Sequence, residues 1–227
     1  MSELLDPVPV PEAVYKWLHA AILAGEFVPG QMLRQETLAK RLGVSRVPLR
    51  EALQRLESEG QVVLHPRRGF AVASLDQEEI EEIFQLRILL EERAAYHSTR
   101  ARTAEHVSQL RDLLEKMDAR KSGNREQLAE WCRYNSDFHD ILLCAGKHRH
   151  ISRVARSLRN TVEPYIRLEV ALTGGVEGAQ EEHTLIVEAF ARGDAYTVAK
   201  LCREHCEHTA KRLIEGLKAR HSAAPIK

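Results

Sequence analysis

Hydrophobic positions along this chain recur with two different periods. Over 11–24, "PEAVYKWLHAAILA", they fall on one face of a helix, with Pro11 at the start where a missing N–H is harmless. "GEFVPGQ" interrupts that helix. "QETLAKRLG" predicts a short second helix closed by Gly43. "VSRVPLREALQRLESEG" predicts a third, with Ser45 as N-cap, Pro48 in the first turn and Gly60 as the stop. "QVVLHPRRGFAVAS" then alternates around a turn-like "PRRG", which reads as a β-hairpin. From Asp76 onward only the helical period is found, in six stretches: 76–102, 103–121, 124–146, 148–173, 178–192 and 194–220. Breaks fall at "KSGN", "CAGKHRH", "TGGVEG" and "RGD". The expected fold class is mainly α: a winged helix-turn-helix domain with a small hairpin wing over 1–74, and an all-helical bundle over 75–227.

Composition narrows this picture. Lys+Arg and Asp+Glu both total 33, so net charge neither favours nor excludes a nucleic-acid partner, and distribution must decide. From Lys40 to Arg68, seven basic residues face three acidic ones, so the overall balance hides a local positive segment. No run of 18 apolar residues offers a membrane span. The acidic, Pro-rich start has no signal-peptide pattern, and four cysteines do not make a disulfide scaffold, so a cytoplasmic protein with reduced thiols is expected.

Two short helices joined through Gly43-Val44-Ser45 and followed by a hairpin place the N-terminal end of the third helix for entry into a major groove. That end carries Ser45, Arg46 and Arg50, and the hairpin tip carries Arg67 and Arg68. Arginine there forks onto guanine or phosphate. The stretch "LAKRLGVSRVPLREALQRLESEGQVVLHPRRGFAV" resembles the DNA-binding domain of the GntR family of bacterial transcription regulators over residues 10–74. The resemblance implies a dimer reading a palindromic operator in double-stranded DNA, with Arg46, Arg50 and the wing at Gly69 touching it. The family often has a base-contacting arginine in its second helix, where Arg34 and Glu36 are the nearby residues here.

"CREHCEHTAKRL", residues 202–213, sets two cysteines and two histidines within seven positions, as a local metal site would. Turning by about 100° per residue separates them. Cys202 and Cys206 fall inside an apolar stripe with Val198, Thr209 and Leu213, so they read as core thiols. His205 lies at the stripe's edge and His208 further towards solvent. Asn135 and His139 sit one turn apart within the stripe of 124–146, His183 lies on that of 178–192, and Asp137 points away. One inward histidine reads as a satisfied core residue, but three from separate helices point to a metal. His97, His106, His148 and His150 show no such placement. Arg87 and Glu91 fall on the apolar face of the helix over 76–102, either as an ion pair or with Arg87 receiving a ligand carboxylate.

"LRILLEERAA", "NSDFHDILLCAGKH", "EEHTLIVEAFARGD" and "AKLCREHCEHTAKRL" resemble the FCD ligand-binding domain of the FadR subfamily, its six helices matching the VanR-like branch. The resemblance implies a divalent metal held by Asn135, His139, His183 and His205. Many members have Asp at the first position, and "GK" (Gly146-Lys147) stands where "GN" is usual. Zinc and nickel both suit imidazole ligands. The function expected is a transcription regulator, a repressor by the family's commoner mode, whose homodimer changes operator affinity when a small carboxylate effector binds the metal and Arg87. The rivals are a metal-dependent hydrolase or lyase, and a constitutive DNA-binding protein whose metal only staples the bundle. The sequence offers no inward carboxylate near the histidines as a general base, which argues against the enzyme.

Overall fold

The computed structural model describes residues 9–121, 124–146 and 148–223. Ser122 and Gly123 of "KSGN", Lys147 of "GK" and the first eight residues lie outside this set. The chain divides into two compact units between Ser74 and Leu75.

The first unit contains α1 (Val10–Leu23), β1 (Met32–Leu33), α2 (Gln35–Leu42), α3 (Arg46–Ser58), β2 (Val62–His65) and β3 (Gly69–Val72). Gly43 ends α2 at φ +66°, a conformation costly for any residue with a Cβ, and this turns the chain into α3. Ser45 occupies the N-cap position of α3 in extended conformation, but its side chain makes no capping hydrogen bond. Leu18, Ile22, Leu49, Leu53 and Leu56 close the core under the sheet, each contributing about 1.5–3 kcal/mol by burial. The hairpin expected from alternation forms, with Val62 opposite Val72 and His65 opposite Gly69. The sheet also holds a third strand. β1 adds to β3 antiparallel, giving the order β1-β3-β2. With only two residues, β1 is too short to show a period.

The second unit is helical: α4 (Gln77–Arg100), α5 (Ala104–Asp118), α6 (Arg125–Cys144), α7 (Arg149–Thr173), α8 (Glu177–Arg192) and α9 (Ala195–Ala223). Local chemistry sets three of the starts. Asp76 with Glu79, Thr103 with His106, and Asn124 with Gln127 form reciprocal capping boxes, which satisfy backbone N–H groups that have no helical partner. His106 is therefore a capping residue. α4 packs chiefly along α9, α5 against α6 and α8, and α7 against α4 and α6. Phe84, Phe138, Ile186, Phe190 and Val198 fill the space between them. No helix of the described residues is long and apolar enough to cross a membrane.

Candidate functional site

In the second unit the apolar faces of α6, α8 and α9 bring His139, His183 and His205 to one point. One ring nitrogen from each lies within 4.8 Å of the others. Ring centroids are 5.3 Å apart for His139 and His183, 5.1 Å for His139 and His205, and 4.7 Å for His183 and His205. Asn135 is one turn before His139 on α6 and is also buried. Trp131 and Phe138 pack their rings on His183.

These groups are not satisfied as ordinary core residues. Both ring nitrogens of His139, both of His183 and Oδ1 of Asn135 are buried without a hydrogen-bond partner among the described residues. Each such group would cost about 1–3 kcal/mol if nothing paired with it. Burial, reinforced by the Arg159 guanidinium and by neighbouring histidines, holds the His139 pKa well below the usual imidazole range. Burial does the same to His183, with His205 and Arg159 adding to it. Both rings are neutral, with a lone pair free, which is the metal-binding form. The donor set, three neutral imidazoles and an amide oxygen, fits a divalent cation.

His205 is oriented by a carboxylate that helix periodicity alone does not reveal. Its Nδ1 lies 2.6 Å from Oε2 of Glu182, and Nδ1 of His208 lies 2.6 Å from Oε1 of the same residue. Burial opposes ionisation of Glu182, but these contacts outweigh it and lower its pKa. An ionised carboxylate only accepts, so Nδ1 of His205 carries the proton and Nε2 is left with the lone pair. The expectation that no inward carboxylate stands near the histidines is thus corrected. Glu182 precedes His183 in the chain, and it reaches His205 because α8 and α9 pack side by side.

The two cysteines take no part in this cluster. Cys202 and Cys206 are buried, and burial pushes the Cys206 thiol up to about 12 and Cys202 in the same direction, so both stay protonated. His208 is exposed, and so is Asp137.

Beside the histidines lies a narrow cavity of about 20 Å³, lined by Arg87, Trp131, Asn135, Arg159, His205 and Arg212 among others. Arg87 is 1% exposed; its Nε donates to Oε1 of Glu91 at 2.7 Å, while its Nη1 has no partner among the described residues. The ion pair and the unpaired donor therefore coexist on one side chain. α7 adds charges that the sequence analysis did not identify. Arg159 and Glu163 are both buried, with Arg159 Nη2 3.8 Å from Glu163 Oε2 and Arg167 Nε 3.1 Å from its Oε1. The signal was present in the four-residue spacing of Arg159, Glu163 and Arg167, which sets them on one helix face.

In the first unit, Arg34, Ser45, Arg46, Arg50, Arg67 and Arg68 are all exposed, and Gly69 is half-buried at φ +94°. Arg46 is paired with Glu36 of α2. The added strand β1 carries Arg34 to the wing, where it lines a cleft with His65 and Arg68. The wing turn has Pro66 second, and its fourth residue, Arg68, donates its N–H to the His65 carbonyl at 3.0 Å. Its third residue, Arg67, has φ +65° and is the one non-glycine among the described residues with positive φ. A left-handed arginine is strained by about 1–3 kcal/mol. Such a turn position favours Gly or Asn, so an arginine there points to a use for its charge.

Residues 82–208 match the FCD domain, and residues 11–72 match the bacterial regulatory proteins of the gntR family. The chain belongs to the GntR family, with an FCD domain. This GntR protein is 28% identical to an uncharacterized HTH-type transcriptional regulator, YdhC, of Bacillus subtilis (strain 168), over 94% of this chain and 97% of that one. It is 26% identical to the HTH-type transcriptional repressor GlaR of Escherichia coli (strain K12), over 84% and 90% respectively. The gluconate operon transcriptional repressor of Bacillus subtilis (strain 168) is 30% identical, over 67% of this chain and 62% of its own. Among solved structures, E. coli McbR/YncC superposes with a TM-score of 0.82 at 24% identity, covering 92% of this chain and 99% of that one, and so shares the fold. This GntR protein is accordingly a DNA-binding transcription regulator.

Proposed function

We propose that this GntR regulator is a repressor whose operator affinity is set by a small organic acid bound at a metal in the helical unit. The observation that carries the reading is the convergence of His139, His183 and His205, with the ring nitrogens of the first two buried and unpartnered. Asn135, His139, His183 and His205 would hold a divalent ion, zinc or nickel. Held there, the ion would supply a fixed positive charge for a ligand carboxylate. Arg87, through its unpaired Nη1, receives and orients the ligand's carboxylate, and the apolar wall at Trp131 excludes water from it. Glu182 fixes the His205 tautomer.

In the other unit, Arg46 and Arg50 at the start of α3 read bases or phosphates, Ser45 contacts the backbone, and Arg34, Arg67, Arg68 and Gly69 approach it along the wing. Two copies would occupy a palindromic operator in the cytoplasm, and ligand binding would change the spacing of the heads. Repression accords with the relatives named as repressors.

The test combines metal analysis of the purified protein with thermal melts and operator binding across a panel of carboxylates. A sensor is stabilised by one acid and releases or tightens on DNA with it. Stabilisation by metal alone, with no acid altering DNA binding, would leave the metal a structural staple. Turnover of any acid by the metal-loaded protein would favour the enzyme reading.

A further inference from the structure

Helix α3 presents one apolar side chain where the rest of its exposed side is polar. Leu49, Ala52, Leu53 and Leu56 form its buried face. At about 100° per residue, Val47 lies opposite that face, flanked by Arg50, Glu51 and Gln54, all exposed. Val47 is 66% exposed, the most exposed large apolar side chain among the described residues of the first unit. Scattered apolar side chains are ordinary on a protein surface, so its placement decides what it does. It is the second residue of the helix, at the end that enters a groove in helix-turn-helix docking.

The neighbouring residues leave that spot to Val47. Arg46 pairs with Glu36 of α2. Arg50 stands one turn further along the helix. Pro48 follows within the first turn, where its missing N–H breaks no helical hydrogen bond. Val47 is β-branched, and in a helix such a side chain keeps essentially one χ1 rotamer. Its two methyls are therefore held in place and lose little rotamer freedom on contact. They neither donate nor accept a hydrogen bond, so purine edges and the cytosine amino group offer them nothing. The one apolar group that a base pair shows in the major groove is the thymine C5 methyl.

We propose that Val47 is a specificity-determining residue that reads a thymine C5 methyl in each half-site of the operator. This assignment rests on α3 entering the major groove as proposed above. Packing of methyl on methyl removes apolar surface of both partners from water. Cytosine at that position lacks the methyl and has its amino group desolvated against Val47 without a partner.

The test uses the full-length protein and operators selected with it from random duplexes. Each thymine of the half-site is replaced in turn by uracil, which keeps every hydrogen-bonding group and lacks only the methyl. At one thymine this should weaken binding by roughly fourfold, the worth of one buried methyl, and by roughly 15-fold when made in both half-sites. At the same position, 5-methylcytosine should bind more tightly than cytosine by a similar factor. Val47→Ser should bind the thymine and uracil operators within about twofold of each other, with an unchanged melting temperature because the side chain is exposed. A selected half-site without thymine, or a wild type indifferent to uracil at every thymine, would overturn the proposal. Full sensitivity retained in Val47→Ser would also overturn it, since another residue would then read the methyl. Arg50→Ala separates the two levels. If it binds the selected operator as the wild type does, the groove docking itself is wrong. If it binds weakly while uracil has no effect on the wild type, only the role of Val47 fails.

Discussion

The two units handle polar side chains in opposite ways. In the first, the arginines at the start of α3 and on the wing project into solvent from a core of leucines that does not need them. In the second, His139, His183, Asn135, Arg87, Arg159 and Glu163 lie inside the core among Phe138, Phe190 and Ile186. Function and folding are therefore separable in the first unit and joined in the second. An exposed arginine is removed at little cost to the fold, because its solvation is the same folded or unfolded. A buried imidazole or guanidinium has left water, and its removal or orphaning changes the stability of the whole bundle.

The largest expected effect lies in the bundle. His183→Ala should abolish tight metal binding and with it up to about 4 kcal/mol of metal-linked stability at saturating metal. Elemental analysis and melting with and without a chelator measure both, and the wild type stripped of metal should melt like the variant. Retained metal in His183→Ala, with loss in Cys202→Ser and Cys206→Ser, would return the site to the local "CREHCEH" stretch.

On the other side of the comparison, Arg50→Ala should lose about 1–3 kcal/mol of specific DNA binding, read by titration at fixed salt. Its melting temperature and metal content should match the wild type. A lowered melting temperature would break the separation drawn for the first unit. Glu182→Gln asks whether the bundle site depends on groups that are not ligands: metal affinity should weaken by roughly 10–100-fold in competition with a chelator, while DNA binding by the metal-loaded protein is unchanged.

Arg67→Asn should be smaller still. Asn adopts the left-handed conformation more readily, so the first unit should gain about 0.5 kcal/mol by denaturant unfolding. Loss of one phosphate contact should reduce the slope of log affinity against log salt by about 1. Stability gained with an unchanged slope would mean that the strained arginine does not touch the DNA backbone. His208→Ala should alter neither metal content nor melting by more than about 0.5 kcal/mol, as befits an exposed side chain.

Much of this molecule is local, and the sequence by itself determined that part. Periodicity, Gly43 and the capping residues Asp76, Thr103 and Asn124 act within a few positions of themselves, so helix number and order follow from neighbours along the chain. Departures from an apolar stripe are also local, which made Asn135, His139, His183, His205 and Arg87 visible as polar residues on buried faces. Only the tertiary structure decided which element lies beside which. β1 exists because β3 offers an edge for two residues to join. Arg34 reaches the wing through that pairing. Glu182 is half-buried at the edge of its helix's buried face and becomes part of the site because α9 packs there, and Arg159 and Glu163 enter because α7 closes over α4. These placements depend on contacts between residues far apart in the chain, and no period within a single helix encodes them.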